Sequence, residues 1–291
     1  MSRLSAFLLP AVLTGVFWLL ARLPLSWMQA VGAAAGLAAA RRPGRYSRRL
    51  RENLLRAYPQ ADEAMFDEAA RSAGRMSAEM PYGWSRRDPL KPFPGLMRPH
   101  KAQGDALLAQ GKGMIIITPH LGCFELLALA VAENWPLTAL YRQPHNPALH
   151  GWIERMRTRP NLTPAPADVR GIRTILKALK RGEVAGILPD QVPAPGEGAW
   201  APFFGRKAYT MTLVHRLQKL TGAPLAVAFL ERLPNGYRAH FHALAQALPD
   251  SPEEAAAVIN AEVEKMVALA PTQYLWGYHR YKVPDGMTAP E

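Results

Sequence analysis

The feature that most restricts the fold is a short aliphatic run that recurs, each time ending at a polar residue before a change of periodicity. "MIIIT" (114–118) is followed by "FELLALAVAEN" (124–134), "LTALYR" (137–142) by "PALHGWIERMRTR" (147–159), and "VRGIRTILKALKRG" (169–182) leads into "VAGILP" (184–189). Runs of four to six residues without alternation read as strands buried on both faces. The longer segments between them carry helical spacing. The βαβ order predicts an α/β fold, a mainly parallel central sheet flanked by helices.

Further along, "TMTLVHRLQKLTG" reads as helical. "PLAVAFLERL", the turn "PNG" and "GYRAHFHAL" read as a hairpin suited to a sheet edge. "SPEEAAAVINAEVEKMVALA" reads as a helix with Ser251 at the N-cap, Pro252 at its first position and Glu254 completing a capping box.

The first forty residues are of another kind. "LSAFLLPAVLTGVFWLLA" (4–21) and "LPLSWMQAVGAAAGLAAA" (23–40) carry no charge and are separated only by Arg22. Each approaches the ~20 residues a helix needs to cross a bilayer. The first, flanked by Arg3 and Arg22, is the better span, while the Ala/Gly-rich second could instead pack against protein. A cleaved signal peptide is the competing reading. These lengths suggest an anchor over 1–40 and a globular domain over 41–291.

Directly after the anchor come Arg41, Arg42, Arg45, Arg48, Arg49, Arg51 and Arg56 against the one acid Glu52. Beside an apolar segment such a cluster suits anionic headgroups and holds its side in the cytoplasm. The whole chain, with 35 Lys and Arg against 23 Asp and Glu, carries +12 and points to a polyanionic partner. The sequence carries no helix-turn-helix, zinc-finger or aromatic-interleaved basic pattern, which argues against nucleic acid.

Ligands of open α/β sheets bind beyond the carboxyl ends of the strands. His120, Arg142 and Asp190 occupy that position after three predicted strands. Glu125 lies five residues beyond His120, about 140° away on a helix, so the two meet only if His120 sits in the turn before the helix and Glu125 folds back from its first turns. A carboxylate on one ring nitrogen fixes the tautomer and leaves the other nitrogen to accept a proton, which describes a general base. Cys123 reads as a small buried residue rather than a nucleophile. No G-x-S-x-G is present, and no histidine spacing suits a metal.

At "TPHLGCFE" (118–125), "YRQPHNP" (141–147), "LPDQVP" (188–193), "PFFGRKAYT" (202–210) and "APTQYLWGYHRYK" (270–282) the chain resembles the late acyltransferases of lipid A biosynthesis. These lauroyl and myristoyl transferases are membrane-bound relatives of the glycerol-phosphate acyltransferases. The resemblance implies that His120 is the base and Glu125 its partner, and that Arg142, Asn146 and Asp190 bind substrate or support the site. It implies that Arg206 and Lys207 meet a phosphate or the donor. The donor would be an acyl-carrier-protein or coenzyme A thioester with no further cofactor, and the acceptor a phosphorylated glycolipid at the cytoplasmic face of a bacterial inner membrane. The same chemistry on another glycolipid, aminolipid or lysophospholipid, and a non-catalytic membrane-anchored lipid-binding protein, are the alternatives.

Overall fold

A computed structural model describes residues 3–290 apart from His145, with side chains from residue 8 onward. Four helices come first: α1 (Arg3–Leu20), α2 (Leu25–Arg41), α3 (Arg45–Ala57) and α4 (Glu63–Ser85). α4 starts where the Asp62 carboxylate accepts the Met65 N–H at 2.8 Å, the usual answer to the unpaired amides of a helix start. Among the described residues no single helix is long and apolar enough to cross a membrane. Leu8–Leu20 and Leu25–Arg41 reach that length and apolarity only as a pair bent by 116°.

The Ala/Gly-rich second stretch packs on protein. A Cβ added to Gly74 of α4 would lie 1.9 Å from the Gly32 carbonyl oxygen of α2, so the two backbones touch where side chains normally intervene. Small residues permit that approach.

The α/β part opens with α5 (Lys101–Leu108) and β1 (Met114–Ile117) and continues through α6 (Phe124–Ala132), β2 (Leu137–Tyr141), α7 (His150–Arg157), β3 (Leu162–Pro166), α8 (Val169–Lys180) and β4 (Val184–Ile187). A hairpin of β5 (Gly198–Phe203) and β6 (Arg206–Met211) forms a separate two-stranded sheet. Then come α9 (Leu213–Thr221), β7 (Leu225–Leu233), β8 (Gly236–Ala243) and α10 (Pro252–Leu269).

The central sheet has the order β3-β2-β4-β1-β7-β8, parallel except for β8. The expected hairpin is therefore β7–β8, and it lies at the sheet edge. Alternate strand residues feed two cores. Ile115, Ile117, Ile187 and Val227 pack with Leu50 and Leu54 of α3 and Ile259 and Val263 of α10. Met114, Ile116, Val184 and Leu230 pack with Leu126, Leu127 and Val131 of α6. Burial on both faces is why these strands lack polar alternation.

Some boundaries differ from the sequence reading. β3 and the β5–β6 hairpin were not expected, and Thr210 and Met211, read as helical, end β6. The Ser251 hydroxyl oxygen accepts the Glu254 N–H at 3.3 Å as anticipated, but the hydroxyl donates to Glu253, at 3.1 Å.

Candidate active site

His120 lies in the turn after β1, and Asp190 holds it at two points. The His120 backbone N–H donates to Asp190 Oδ2 at 2.8 Å, and the ring Nδ1–H donates to Asp190 Oδ1 at 2.8 Å. The Gln191 side-chain amide donates to Nε2 at 3.2 Å, a set of bonds that assigns the proton to Nδ1 and leaves Nε2 an acceptor. Asp190 ends the β4 run and is 4% exposed. Burial alone would raise its pKa, but the charge of His120 and the two His120 hydrogen bonds outweigh it and hold the carboxyl below its usual range.

The turn carrying His120 is tightly fixed. Leu275 N–H donates to the His120 carbonyl at 3.0 Å, and Cys123 N–H to the Leu230 carbonyl at 2.8 Å. Gly122 has φ +60°, and a Cβ there would lie 2.0 Å from the Leu230 oxygen. Arg232 donates to the Gly122 carbonyl and to Glu79, both within the buried core. Burial pushes the Cys123 thiol well above its ordinary pKa, so it stays protonated, consistent with a packing role.

Glu125 does not hold the imidazole, which corrects the expected pairing. Its Oε1 accepts from Arg157 and its Oε2 accepts the Trp84 indole N–H at 2.8 Å. The physical reason is directional. His120 turns both its amide and its ring toward the end of β4, while Glu125 leaves the first turn of α6 toward α4 and α7.

Two cavities meet beside this pair. A cleft of about 1700 Å³ is lined by His120, Arg142, Gln191 and Arg216. A second pocket of about 670 Å³ runs between α6 and the sheet, with an almost wholly apolar lining that includes Ile116, Ala128, Val131, Leu137 and Leu162. Phe124, Leu140, Tyr141, Arg157 and Leu188 line both, so the apolar pocket opens into the cleft at the Glu125–Arg157 pair.

The other sequence candidates separate. Arg142 is exposed in the cleft. The Asn146 side chain accepts the Ala148 N–H at 3.1 Å and caps a short turn. Arg206 lies at the β5–β6 turn and lines a different, basic cavity, with Lys207 next to it on β6. Sequence reasoning missed Gln191, Arg157 and Trp84. Gln191 was readable as the neighbour of Asp190, whereas nothing local marks Trp84, 41 residues from Glu125.

Fold and site together define an α/β protein with a carboxylate-held imidazole in a cleft that an apolar pocket joins. Residues 3–283 match the family described as bacterial lipid A biosynthesis acyltransferase. The lipid A biosynthesis palmitoleoyltransferase of Escherichia coli K12 is 31% identical over 280 residues, covering 92% of this chain and 89% of the relative. The lauroyltransferase of the same strain is 27% identical over 287 residues, covering 94% and 91%. The chain belongs to the bacterial lipid A biosynthesis acyltransferases and is an O-acyltransferase of that type.

Proposed function

We propose that this chain moves an acyl group from a thioester, carried by acyl carrier protein or coenzyme A, to a hydroxyl of a phosphorylated lipid A precursor. The observation that carries the reading is the Asp190-held His120 lining the cleft into which the apolar pocket opens. The acceptor hydroxyl replaces Gln191 at His120 Nε2 and gives up its proton there as its oxygen attacks the thioester carbonyl. The C–O bond forms, the C–S bond breaks, and the leaving sulfur takes the proton from Nε2. Asp190 keeps the ring in the required tautomer and stabilises the transient imidazolium, the division of labour of an acid-held histidine base. Glu125 assists by fixing Arg157 at the pocket mouth, beside the reacting carbonyl. The acyl chain lies in the apolar pocket, where each buried CH2 contributes about 0.8 kcal/mol.

The bent α1–α2 pair attaches the enzyme to the inner membrane with its cleft toward the cytoplasm. Leu8, Val12, Val16, Trp18, Leu19, Trp27 and Val31 are exposed on that pair, a concentration of apolar surface suited to lipid. The opposite side of α1 packs on the domain, with Thr14 Oγ accepting the Trp152 indole N–H at 2.8 Å.

The test incubates the detergent-purified chain and its His120→Ala variant with a tetra-acylated, Kdo-bearing lipid A precursor and a panel of acyl-carrier-protein donors. Mass spectrometry should register the gain of one acyl chain with the parent protein and none with the variant. An unchanged gain with His120→Ala would remove the base from the mechanism.

A further inference from the structure

The second large cavity has no part in the mechanism above. It is an open cavity of about 1130 Å³ lined by Arg45, Arg48, Arg49 and Arg56 of α3, Arg206 of the β5–β6 turn, and His279. The α3 arginines recur at helical spacing on the face opposite Leu50 and Leu54, which are buried in the core. That burial fixes the helix and aims its basic face into the cavity.

Among the described residues no carboxylate forms an ion pair with any of these five guanidinium groups. Glu52 is the only acid in the lining. Two neighbouring arginines outside the lining differ. Arg41 pairs with Asp67 and Arg51 with Glu63.

The walls are built rather than loose. The guanidinium centres of Arg56 and Arg206 lie 5.3 and 5.2 Å from the Tyr281 ring centroid, within cation–π range. The Tyr281 hydroxyl donates to the Phe203 carbonyl at 2.8 Å, which fixes the ring between them. Burial, aided by the charges of Arg49 and Lys282, lowers the His279 pKa, so its imidazole contributes hydrogen bonding near pH 7 without adding to the repulsion.

The cavity is tied to the catalytic loop. The Asn53 side-chain amide donates to the carbonyls of Trp276 and Tyr278 at 2.7 and 2.9 Å. The Val192 N–H, two residues after Asp190, donates to the Tyr278 hydroxyl oxygen at 2.9 Å. α3 also follows α2, the second helix of the pair assigned above to the membrane.

We propose that this cavity is a phosphate subsite that takes the sugar phosphate of the glycolipid acceptor. Guanidinium groups converging from separate segments suit the oxygens of a phosphomonoester, which accepts several N–H donors in forked pairs. A concave cluster suits a small anion better than the convex acidic face of a protein. The choice of source rests on the acceptor named under Proposed function; the phosphate chemistry does not.

The experiment uses the full chain in detergent micelles at low ionic strength, with Arg49→Gln/Arg206→Gln as the test variant. Arg173→Gln/Lys177→Gln, which removes the same charge from an exposed face of α8, is the control. Thermal unfolding first establishes that each is folded, and the single variants replace the double if it is not. Titration with inorganic pyrophosphate should show the test variant weaker by about tenfold or more, as expected for lost charge-assisted bonds, and the control close to the parent. Equal affinity in parent and test variant, or equal loss in both variants, overturns the subsite.

The second arm compares phosphorylated with dephosphorylated lipid A disaccharide, phosphatidic acid and holo-acyl carrier protein. A phosphate-dependent affinity for the disaccharide that disappears in the test variant supports the assigned source. A loss confined to phosphatidic acid or to the carrier protein overturns it. Failure of acyl transfer would sink the catalytic reading, whereas the pyrophosphate arm reports on the cavity without any transfer.

Discussion

Two carboxylates each hold a side chain that lines the cleft, His120 and Arg157, and those partners give them different work. Asp190 is buried at the end of β4 and shares both oxygens with one histidine. Glu125 is half-buried in the first turn of α6 and divides its oxygens between a guanidinium and an indole. An imidazole gains and loses a proton near neutrality; a guanidinium does not. The Asp190 pair is therefore suited to proton transfer and the Glu125 pair to holding shape. Chemical type alone does not separate these roles, and the partner does.

The hardest test of that contrast is Asp190→Asn. With the wrong tautomer favoured, turnover should fall about 10³- to 10⁴-fold, comparable to His120→Ala. Initial rates of acyl transfer measure it. A loss of only a few fold would take Asp190 out of the chemistry.

Glu125→Ala should act through structure, because it strands the Arg157 charge in a mostly buried site. Breaking such a pair costs about 3 kcal/mol, and Arg157→Met added to it should restore part of the loss. Unfolding midpoints of the two single variants and the double variant form the cycle that checks this. A Glu125→Ala protein as stable as the parent, yet as inactive as Asp190→Asn, would reverse the two roles.

A gentler probe concerns the pocket that the Glu125 pair guards. Ala128→Phe fills apolar space facing the sheet, and the preferred donor should shorten by about two carbons at ~0.8 kcal/mol per CH2 excluded. A competition among donors of different length, read by product mass, reports it.

The smallest effect is on the acid side. The Asp190 pKa is lowered on folding, so its contribution to stability is complete above the unfolded value of about 3.9 and is lost as pH falls through the lower folded value. Asp190→Asn should flatten that part of the stability–pH curve below about pH 4. The parent and variant curves should run parallel at higher pH.

The sheet was legible because strands buried on both faces cannot hide their aliphatic runs. His120, Arg142 and Asp190 were placed by the same logic, as polar residues at strand ends, and all three converge on the cleft or its imidazole. The partner of His120 was not legible. Five residues of chain allow Glu125 to approach, but the turn through Gly122 directs the ring elsewhere, and a residue 70 positions away supplies the carboxylate. Short-range spacing has no access to that choice. β3, with prolines at 164 and 166, and the β5–β6 hairpin, with Pro202 in one strand, have compositions that discourage a strand assignment, and the pairing of each with its neighbouring strand overrides it. The α3 arginines were visible as a charge block, yet their convergence with Arg206 and His279 depends on residues 150 or more positions apart.

One bond described earlier bears on how the enzyme is made. The His120 turn is held by the amide of Leu275, and the loop after Asp190 by the hydroxyl of Tyr278. Both groups, the Leu275 amide that donates and the Tyr278 hydroxyl oxygen that accepts, are translated after every strand of the sheet. A nascent chain halted before Tyr274 would already present its apolar N-terminal helices and its complete set of strands, with His120 and Asp190 both synthesised, but without the clasp that fixes their geometry. Synthesis order thus leaves the His120–Asp190 geometry unclasped until the N-terminal helices and every strand of the sheet are finished.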